Sequence, residues 1–245
     1  MNAGVRQPHA VLDLTSRRHK GMKIERLLGL RPQPQPLRLL EIGTGSGGIA
    51  HYFATHPSIR CAVTAVDVVD QRLARDGYDF HLVSGTALPF VDGTFDVVIS
   101  NHVIEHVGEH ASQLSHLREI RRVMASGAVG YLAVPNRWML VEPHFRLAFL
   151  SWLPPSLRTP YLRLMRRGSL YDCNPLTLSG LNAMLSEAGF YWRHIEVEAL
   201  RFTLKHENLQ GPGAWVARWL PDTWVALARP VIPTLVCRIQ RMQSA

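Results

Sequence analysis

The chain is poor in the residues from which disulfide frameworks and zinc clusters are built. Its three cysteines, Cys61, Cys173 and Cys237, lie far apart among 245 residues and form no C-x-x-C pair. This spacing disfavours a disulfide scaffold and a metal site, and it is typical of reduced thiols in a cytoplasmic protein. We therefore expect no metal and no disulfide.

Long apolar stretches are also missing. No segment reaches the ~20 uninterrupted apolar residues of a membrane-spanning helix. The segment from Met1 to Pro8 lacks the apolar centre of a signal peptide. Hydrophobic residues make up 47% of the chain and charged residues 19%, which excludes pervasive disorder and suits one α/β domain. These features predict a cytoplasmic protein.

Negative charge is in deficit, and the formal net charge is +8. Such an excess usually indicates an anionic partner: a nucleic acid, a phosphorylated substrate or a negatively charged membrane surface. A basic protein without such a partner is the alternative. The total charge alone does not choose between them.

A glycine-rich turn is the most informative feature that is present. Leu39 to Gly48 reads LLEIGTGSGG, so a short apolar run typical of a buried parallel strand stops at four glycines in six residues. Glycine permits a tight turn and a close approach of the backbone to a ligand. The free N–H groups of a helix that starts there can bind polar or anionic groups. The pattern predicts a nucleotide-type pocket.

The turn by itself does not identify the ligand. Gly43, Gly45 and Gly48 also fit the G-x-G-x-x-G pattern of dinucleotide folds, and Asp67 follows at about the ~20-residue distance of a ribose-binding acid. That match alone would equally support an NAD enzyme. The chain contains no Tyr-x-x-x-Lys pair, which excludes the short-chain dehydrogenase version.

A second motif, residues 88–107, reads LPFVDGTFDVVISNHVIEHV. Together with Glu41 and the glycine turn, it resembles the class I S-adenosylmethionine-dependent methyltransferases. The resemblance is closest to their ubiquinone/menaquinone-biosynthesis-like (type 11) subgroup. It spans about residues 37–136, with weaker agreement to about 205. It implies S-adenosylmethionine as the methyl donor and a Rossmann-like, mostly parallel sheet of seven strands, whose last strand is antiparallel, with helices on both faces.

Hydrophobic periodicity places the elements of such a fold. It predicts strands at 37–42, 61–66, 80–83, 95–100, 128–134, 190–197 and 234–240. It predicts helices at 15–30, 47–56, 71–76, 112–125 and 176–188. We expect an N-terminal helix and proline connector over 1–36, then a methyltransferase domain over 37–245 with aromatic and basic insertions at about 138–170 and 203–232.

The resemblance also implies which residues hold the donor. Glu41 is expected to face its ammonium end, or else to satisfy backbone N–H groups at the strand end. Asp67 offers two oxygens to the ribose hydroxyls, or else caps its strand. Ser84 stands where the family usually has an aspartate that accepts from the adenine amino group. The predicted donor-binding set is Glu41, Gly43, Thr44, Gly45, Gly47, Asp67, Val68, Ser84, Gly85, Thr86 and Asn101.

The acceptor side is predicted from polar residues that follow the fourth and fifth strands. Asn136 and Trp138 are the predicted acceptor contacts. A neutral histidine is the usual general base near neutral pH, which makes His144, His106 and His102 the candidates. For each histidine, a packed and hydrogen-bonded structural role is the alternative.

The insertions place Trp and Phe beside Arg, which suits a membrane–water interface or a small core over the active site. The predicted function is methyl transfer, most often to oxygen, on a small-molecule or lipid-linked acceptor such as a quinone precursor or a carrier-linked glycan. The protein would be cytoplasmic, with a peripheral position on an anionic membrane left open. One alternative is an RNA or other macromolecule methyltransferase, although no Asn-Pro-Pro-Tyr-like signature is present and nucleic acid is disfavoured. The other is a non-catalytic donor-binding protein.

Overall fold

The computed structural model describes residues 13–207 and 212–242. Its strands are β1 Leu37–Ile42, β2 Cys61–Asp67, β3 Asp79–Leu82, β4 Phe95–Asn101, β5 Met124–Pro135, β6 Val141–Glu142, β7 Leu147–Ala148, β8 Phe190–His194 and β9 Thr234–Arg241. Its α-helices are α1 Leu14–Leu28, α2 Gly48–Ala54, α3 His110–Val123, α4 Pro155–Leu164, α5 Leu178–Glu187, α6 Glu196–His206, α7 Pro212–Trp219 and α8 Asp222–Leu227.

Seven strands form one sheet in the order β3-β2-β1-β4-β5-β9-β8. The pairs from β3 to β5 are parallel, and β9 runs antiparallel between β5 and β8. Buried apolar side chains on both faces of β1 and β4 suit the centre of a parallel sheet covered by helices. The predicted fold class, including the antiparallel last strand, is confirmed.

Helices cover both faces of the sheet and divide its core into two layers. One layer packs α3 and α5 through Leu117, Ile120 and Leu185. The other packs α1 and α2 through Ile24 and Phe53, together with α6. The N-terminal helix therefore shares a core with the sheet.

The predicted helix at 71–76 is wrong, because the described residues between β2 and β3 contain no helix. The Asp70 carboxylate accepts from the Arg72 guanidinium at 2.9 Å and lies 3.0 Å from Arg75. The Ser46 carbonyl accepts from two successive backbone N–H groups of this segment, at 2.9 and 3.1 Å. These contacts hold the segment in an irregular, non-helical conformation.

The predicted strand at 190–197 is also too long. It ends at His194 because Glu196 turns inward, where its carboxylate accepts from Val236 N at 3.2 Å and from Arg229 at 3.1 Å. Helix α6 starts at that buried acid, so the helical segment before β9 begins earlier than residue 203. Within residues 13–207 and 212–242, no helix is long and apolar enough to cross a bilayer.

Candidate active site at the carboxyl edge of the sheet

The strand register brings the predicted donor-binding residues to one edge. Ile42 of β1 is aligned with Val66 of β2 and with Ser100 of β4. The residues that follow them, Gly43, Asp67 and Asn101, therefore meet in one row where the three strands end. Parallel sheets hold their ligands at this edge, next to the central strands.

The glycine turn has backbone angles that other residues rarely adopt. Gly43, Gly45 and Gly47 have φ values of 72°, 55° and 78°. A Cβ on Gly43 would collide with the Val103 side chain, and one on Gly47 would collide with the segment that follows β2. The turn therefore needs glycine both for its conformation and for its close contacts.

Asp67 is held in place by the turn itself. One carboxylate oxygen accepts from Gly45 N at 2.8 Å, and the other accepts from Val68 N at 2.7 Å. The oxygen bonded to Gly45 keeps a further lone pair for a ligand, whereas the other oxygen also accepts from Val69 N at 3.4 Å. The side chain is thus oriented beside the glycine turn, with Val68 contributing its backbone while its side chain is exposed.

Glu41 lies beneath the turn and does not open onto the edge. It is 2% exposed, and its carboxyl accepts from the Thr44 hydroxyl at 2.7 Å. Burial raises the pKa of Glu41 to about 8, against the opposing effects of Thr44 and the Arg17 charge. In this structure Glu41 and Thr44 therefore support the turn. Contact of Glu41 with the donor's ammonium group stays a prediction.

The segment after β3 lies beside Asp67, because Val83 N donates to the Asp67 carbonyl at 2.9 Å. Ser84 and Gly85 are exposed, and Gly85 has a φ of 82° with open space around its Cα. The Thr86 hydroxyl is 3.2 Å from the Ser115 hydroxyl. An adenine-sized group could thus reach this segment without displacing core residues.

An unsatisfied polar atom supports a ligand at this edge. Asn101 Oδ1 is buried and has no hydrogen-bond partner among the described residues. Burial of such an acceptor is costly unless something else bonds to it. With the glycine turn and the Asp67 carboxylate in the same row, the residues fit a polar, nucleoside-like ligand.

Beyond Asn101, a cluster of titratable groups begins at the end of β4. His102 Nδ1 is 3.4 Å and His106 Nε2 is 3.9 Å from Glu105 Oε1. Glu105 is 0% exposed, and neither of its oxygens has a hydrogen-bond partner in the described part of the chain. Burial raises the pKa of Glu105, but the imidazoles of His102 and His106 outweigh it, and the net pKa is lowered.

His144 joins this cluster from the first insertion. Its ring centroid is 6.2 Å from that of His106, and its Nδ1 is 2.7 Å from Glu142 Oε1. Glu142 is buried, and its other oxygen accepts from Phe145 N at 2.8 Å. The Glu142 hydrogen bond raises the pKa of His144. The three predicted histidines therefore lie in one cluster around two buried carboxylates.

The position of Asn136 does not agree with the prediction that it contacts the acceptor. It is 0% exposed. Its amide donates to the carbonyls of Arg229 and Pro230 at 3.3 and 2.8 Å, and its oxygen accepts from Trp138 N at 3.0 Å. Asn136 thus ties the end of β5 to the chain before β9. Trp138 is partly exposed and packs edge-on against Trp152, with ring centroids 5.4 Å apart.

The aromatic residues of the two insertions differ in their exposure to solvent. In the first, Leu147, Leu150, Leu162 and Tyr171 form a small core of their own. Trp152 is fixed there, because its indole N–H donates to the Met139 carbonyl at 2.8 Å. In the second insertion, Trp215, Trp219 and Trp224 are 64%, 76% and 63% exposed. The first insertion is therefore a cap with its own core, and the second presents its tryptophans to solvent.

Sequence reasoning missed four residues of the cluster. Glu105, Glu142, Asp172 and Cys173 are not among the predicted site residues. Cys173 Sγ is 3.8 Å from His106 Nδ1, although the two residues are 67 positions apart. The Val-Glu-Pro-His order at 141–144 was the one local signal, since it places a carboxylate two residues before a histidine.

Comparisons with known proteins agree with this geometry. A family model described as a methyltransferase domain, of type 11, matches residues 40–132. A ribosomal protein L11 methyltransferase from Lactobacillus delbrueckii subsp. bulgaricus is 35% identical over 132 residues, covering 49% of this chain and 41% of that protein. A ubiquinone biosynthesis O-methyltransferase from Caulobacter vibrioides is 29% identical over 132 residues, covering 49% and 50%.

Among solved structures, a S-adenosylmethionine-dependent methyltransferase from Methanosarcina mazei has the same fold. It superposes with a TM-score of 0.53 at 14% identity, covering 87% of this chain and 100% of that one. The chain spans half or less of the length of the two curated relatives it matches. Both relatives match over about half of this chain, and the solved structure matches over most of it.

Proposed function

We propose that this chain is an S-adenosylmethionine-dependent methyltransferase, because a methyltransferase-domain family model of type 11 matches residues 40–132. The observation that carries the proposal is the single row formed by the glycine turn, Asp67 and Asn101 at the carboxyl edge. The three-histidine cluster begins directly beside that row. We propose that the acceptor is a small or lipid-linked molecule, methylated on oxygen.

The row of polar groups would hold the donor. The backbone of Gly43 and Gly45 would lie beside it, and Asp67 would accept from the ribose hydroxyls. Asn101 Oδ1, which is buried without a partner within the described residues, would gain one. When bound, S-adenosylmethionine would supply a methyl group carried on a positively charged sulfur. An acceptor oxygen would attack the methyl carbon in line with the carbon–sulfur bond, and the sulfur would leave.

His144 is the proposed general base. Among the three candidate histidines it has the closest carboxylate, at 2.7 Å from Nδ1. That contact holds the proton on Nδ1 and leaves Nε2 to take a proton from the acceptor hydroxyl. Glu142 is the positioning residue, since it fixes the ring and stabilises the imidazolium that forms.

A lipid-linked acceptor is supported by the surface of the second insertion. Trp215 and Trp219 are four residues apart on α7 and so lie on one face, and Trp224 on α8 is exposed as well. Tryptophan favours the membrane–water interface, and a net charge of +8 favours an anionic bilayer. We propose that this surface contacts the membrane that holds the acceptor.

Sedimentation with lipid vesicles tests the membrane contact. The wild-type protein should sediment with anionic vesicles and much less with neutral ones. The double variant Trp215→Ser/Trp219→Ser should lose this binding, whereas Tyr191→Ser, which removes an exposed aromatic on β8, should keep it. If the wild-type protein does not sediment with anionic vesicles, the membrane part of the proposal is contradicted.

A protein acceptor is the second candidate, favoured by the 35% identity to a ribosomal protein L11 methyltransferase. Radiolabelled donor distinguishes the two. The protein is incubated with a polyprenylated catechol in vesicles, with purified ribosomal proteins, and with RNA. Our proposal predicts label in the lipid extract; label in the protein fraction would replace it with the second candidate.

A further inference from the structure

Three side chains of the types that bind metal ions lie close together, and one of them, His106, belongs to the histidine cluster. His106 Nδ1 is 3.8 Å from Cys173 Sγ, and Cys173 Sγ is 3.8 Å from Asp172 Oδ1. One ligand atom from each of the three residues lies within 4.8 Å of the others. With zinc bonds of about 2.3 Å to sulfur and about 2.0–2.1 Å to nitrogen at a tetrahedral angle, the two ligand atoms lie about 3.6 Å apart, close to the 3.8 Å between Cys173 Sγ and His106 Nδ1.

The two segments that supply these ligands are fixed against each other. Asn174 N donates to the Glu105 carbonyl at 2.8 Å, and Asn174 Nδ2 donates to the Gly108 carbonyl at 3.1 Å. Gln113 Nε2 donates to the Asn174 carbonyl at 2.9 Å. The turn that carries His106 and the segment that carries Cys173 therefore hold their relative positions without a metal.

Glu105 is a second observation beside these ligands, with His102 Nδ1 3.4 Å from one of its oxygens. Its carboxylate is fully buried, and both oxygens lack hydrogen-bond partners among the described residues. One of these oxygens faces His106 Nε2 at 3.9 Å. A carboxylate behind the second nitrogen of a ligating histidine is a common outer-shell arrangement at zinc sites.

We propose that His106, Asp172 and Cys173 form a zinc site with three protein ligands and an open fourth position. The thiol and imidazole favour Zn²⁺ or its substitute Co²⁺ over Mg²⁺ and Ca²⁺, which prefer oxygen ligands. The C-x-x-C spacing that usually signals such a site is absent, because the ligands come from two distant segments.

The site lies where it could act on the acceptor. His144, the proposed base, has its ring centroid 6.2 Å from that of His106. An acceptor hydroxyl at the open position would lose its proton to His144 more readily, since a bound cation lowers the pKa of a coordinated hydroxyl. This role rests on the proposed function, whereas the metal site itself does not.

Cobalt titration of the full chain, freed of metal by a chelator, tests the site. The proposal predicts one Co²⁺ per chain, a thiolate-to-cobalt charge-transfer band in the near ultraviolet, and displacement of the band by Zn²⁺ but not by Mg²⁺. Cys173→Ser should lose the band. Cys237→Ser is the matched control, because Cys237 is also a buried thiol beside a histidine, 3.5 Å from His194 Nδ1.

Asp172→Ala gives a second test at a half-buried position where folding is less at risk. It should weaken zinc binding about tenfold or more. A band that persists in Cys173→Ser, or cobalt binding without any thiolate band, would overturn the proposal. The same samples are titrated with S-adenosylmethionine, so that donor binding without metal binding overturns only the zinc site, and metal binding without donor binding overturns only the proposed function.

Discussion

The proposed donor side and the proposed acceptor side of this molecule are built in different ways. On the donor side, neighbouring strands end in one row, and the backbone of the glycine turn positions Asp67. On the acceptor side, side chains from segments far apart in sequence meet, such as His106 and Cys173. The donor side therefore depends on local backbone conformation, and the acceptor side depends on tertiary packing.

Because of this contrast, we expect changes on each side to alter a different measured quantity. Changes on the donor side should alter the affinity for S-adenosylmethionine. Changes on the acceptor side should alter turnover and its pH dependence while donor affinity stays close to that of the wild type. Four variants, taken from the largest expected effect to the smallest, test this separation.

His144→Gln should lower kcat by about 10²–10⁴-fold, the usual contribution of a general base. Turnover is measured with the polyprenylated catechol and radiolabelled donor, and donor affinity is measured by calorimetry. His110→Gln, at an exposed position at the start of α3, is the control. A loss of donor affinity equal to the loss of turnover would show that the two sides are not separate.

Asp67→Ala should weaken donor binding by about 1–3 kcal/mol, the scale of losing hydrogen bonds in a buried site. Asp70→Ala removes a nearby exposed carboxylate, which is bonded to Arg72, and should leave donor affinity unchanged. Calorimetric titration compares the two variants. Unchanged affinity in Asp67→Ala would mean that the ribose lies elsewhere.

Glu142→Gln should shift the pH dependence of turnover. His144 must be neutral to act as a base, and the Glu142 hydrogen bond raises its pKa, with Glu105 and Asp172 adding in the same direction. Removal of the Glu142 charge lowers that pKa, so the acidic limb of kcat/KM should move to lower pH. An acidic limb that stays in place would remove Glu142 from its positioning role.

Asp96→Ala should have the smallest effect and should act on stability alone. Asp96 joins the starts of β1 and β4 through Arg38, at 2.7 and 3.0 Å. Arg38 lowers the pKa of Asp96, so this contribution is present above the ordinary carboxyl pKa and is lost as the pH falls. Because the pair is partly exposed, we expect at most about 1 kcal/mol in urea unfolding. A change in donor affinity would contradict its structural role.

The same contrast explains how much could be predicted from the sequence. The apolar run before Gly43 and the repeated strand–helix pattern predicted a parallel sheet, because both depend on local composition. The antiparallel last strand was implied only by the family resemblance. The helix at 71–76 failed because side-chain contacts of Asp70 override a weak local propensity. His106 and Cys173 could not be paired from the sequence, since only tertiary packing brings their segments together.

The central claim is that the edge formed by Gly43, Asp67 and Asn101 binds S-adenosylmethionine. Calorimetric titration of the purified protein with S-adenosylmethionine, with NAD as the comparison, tests it most directly. We expect saturable binding of S-adenosylmethionine and none of NAD. Binding of NAD alone, or of neither compound, would contradict it.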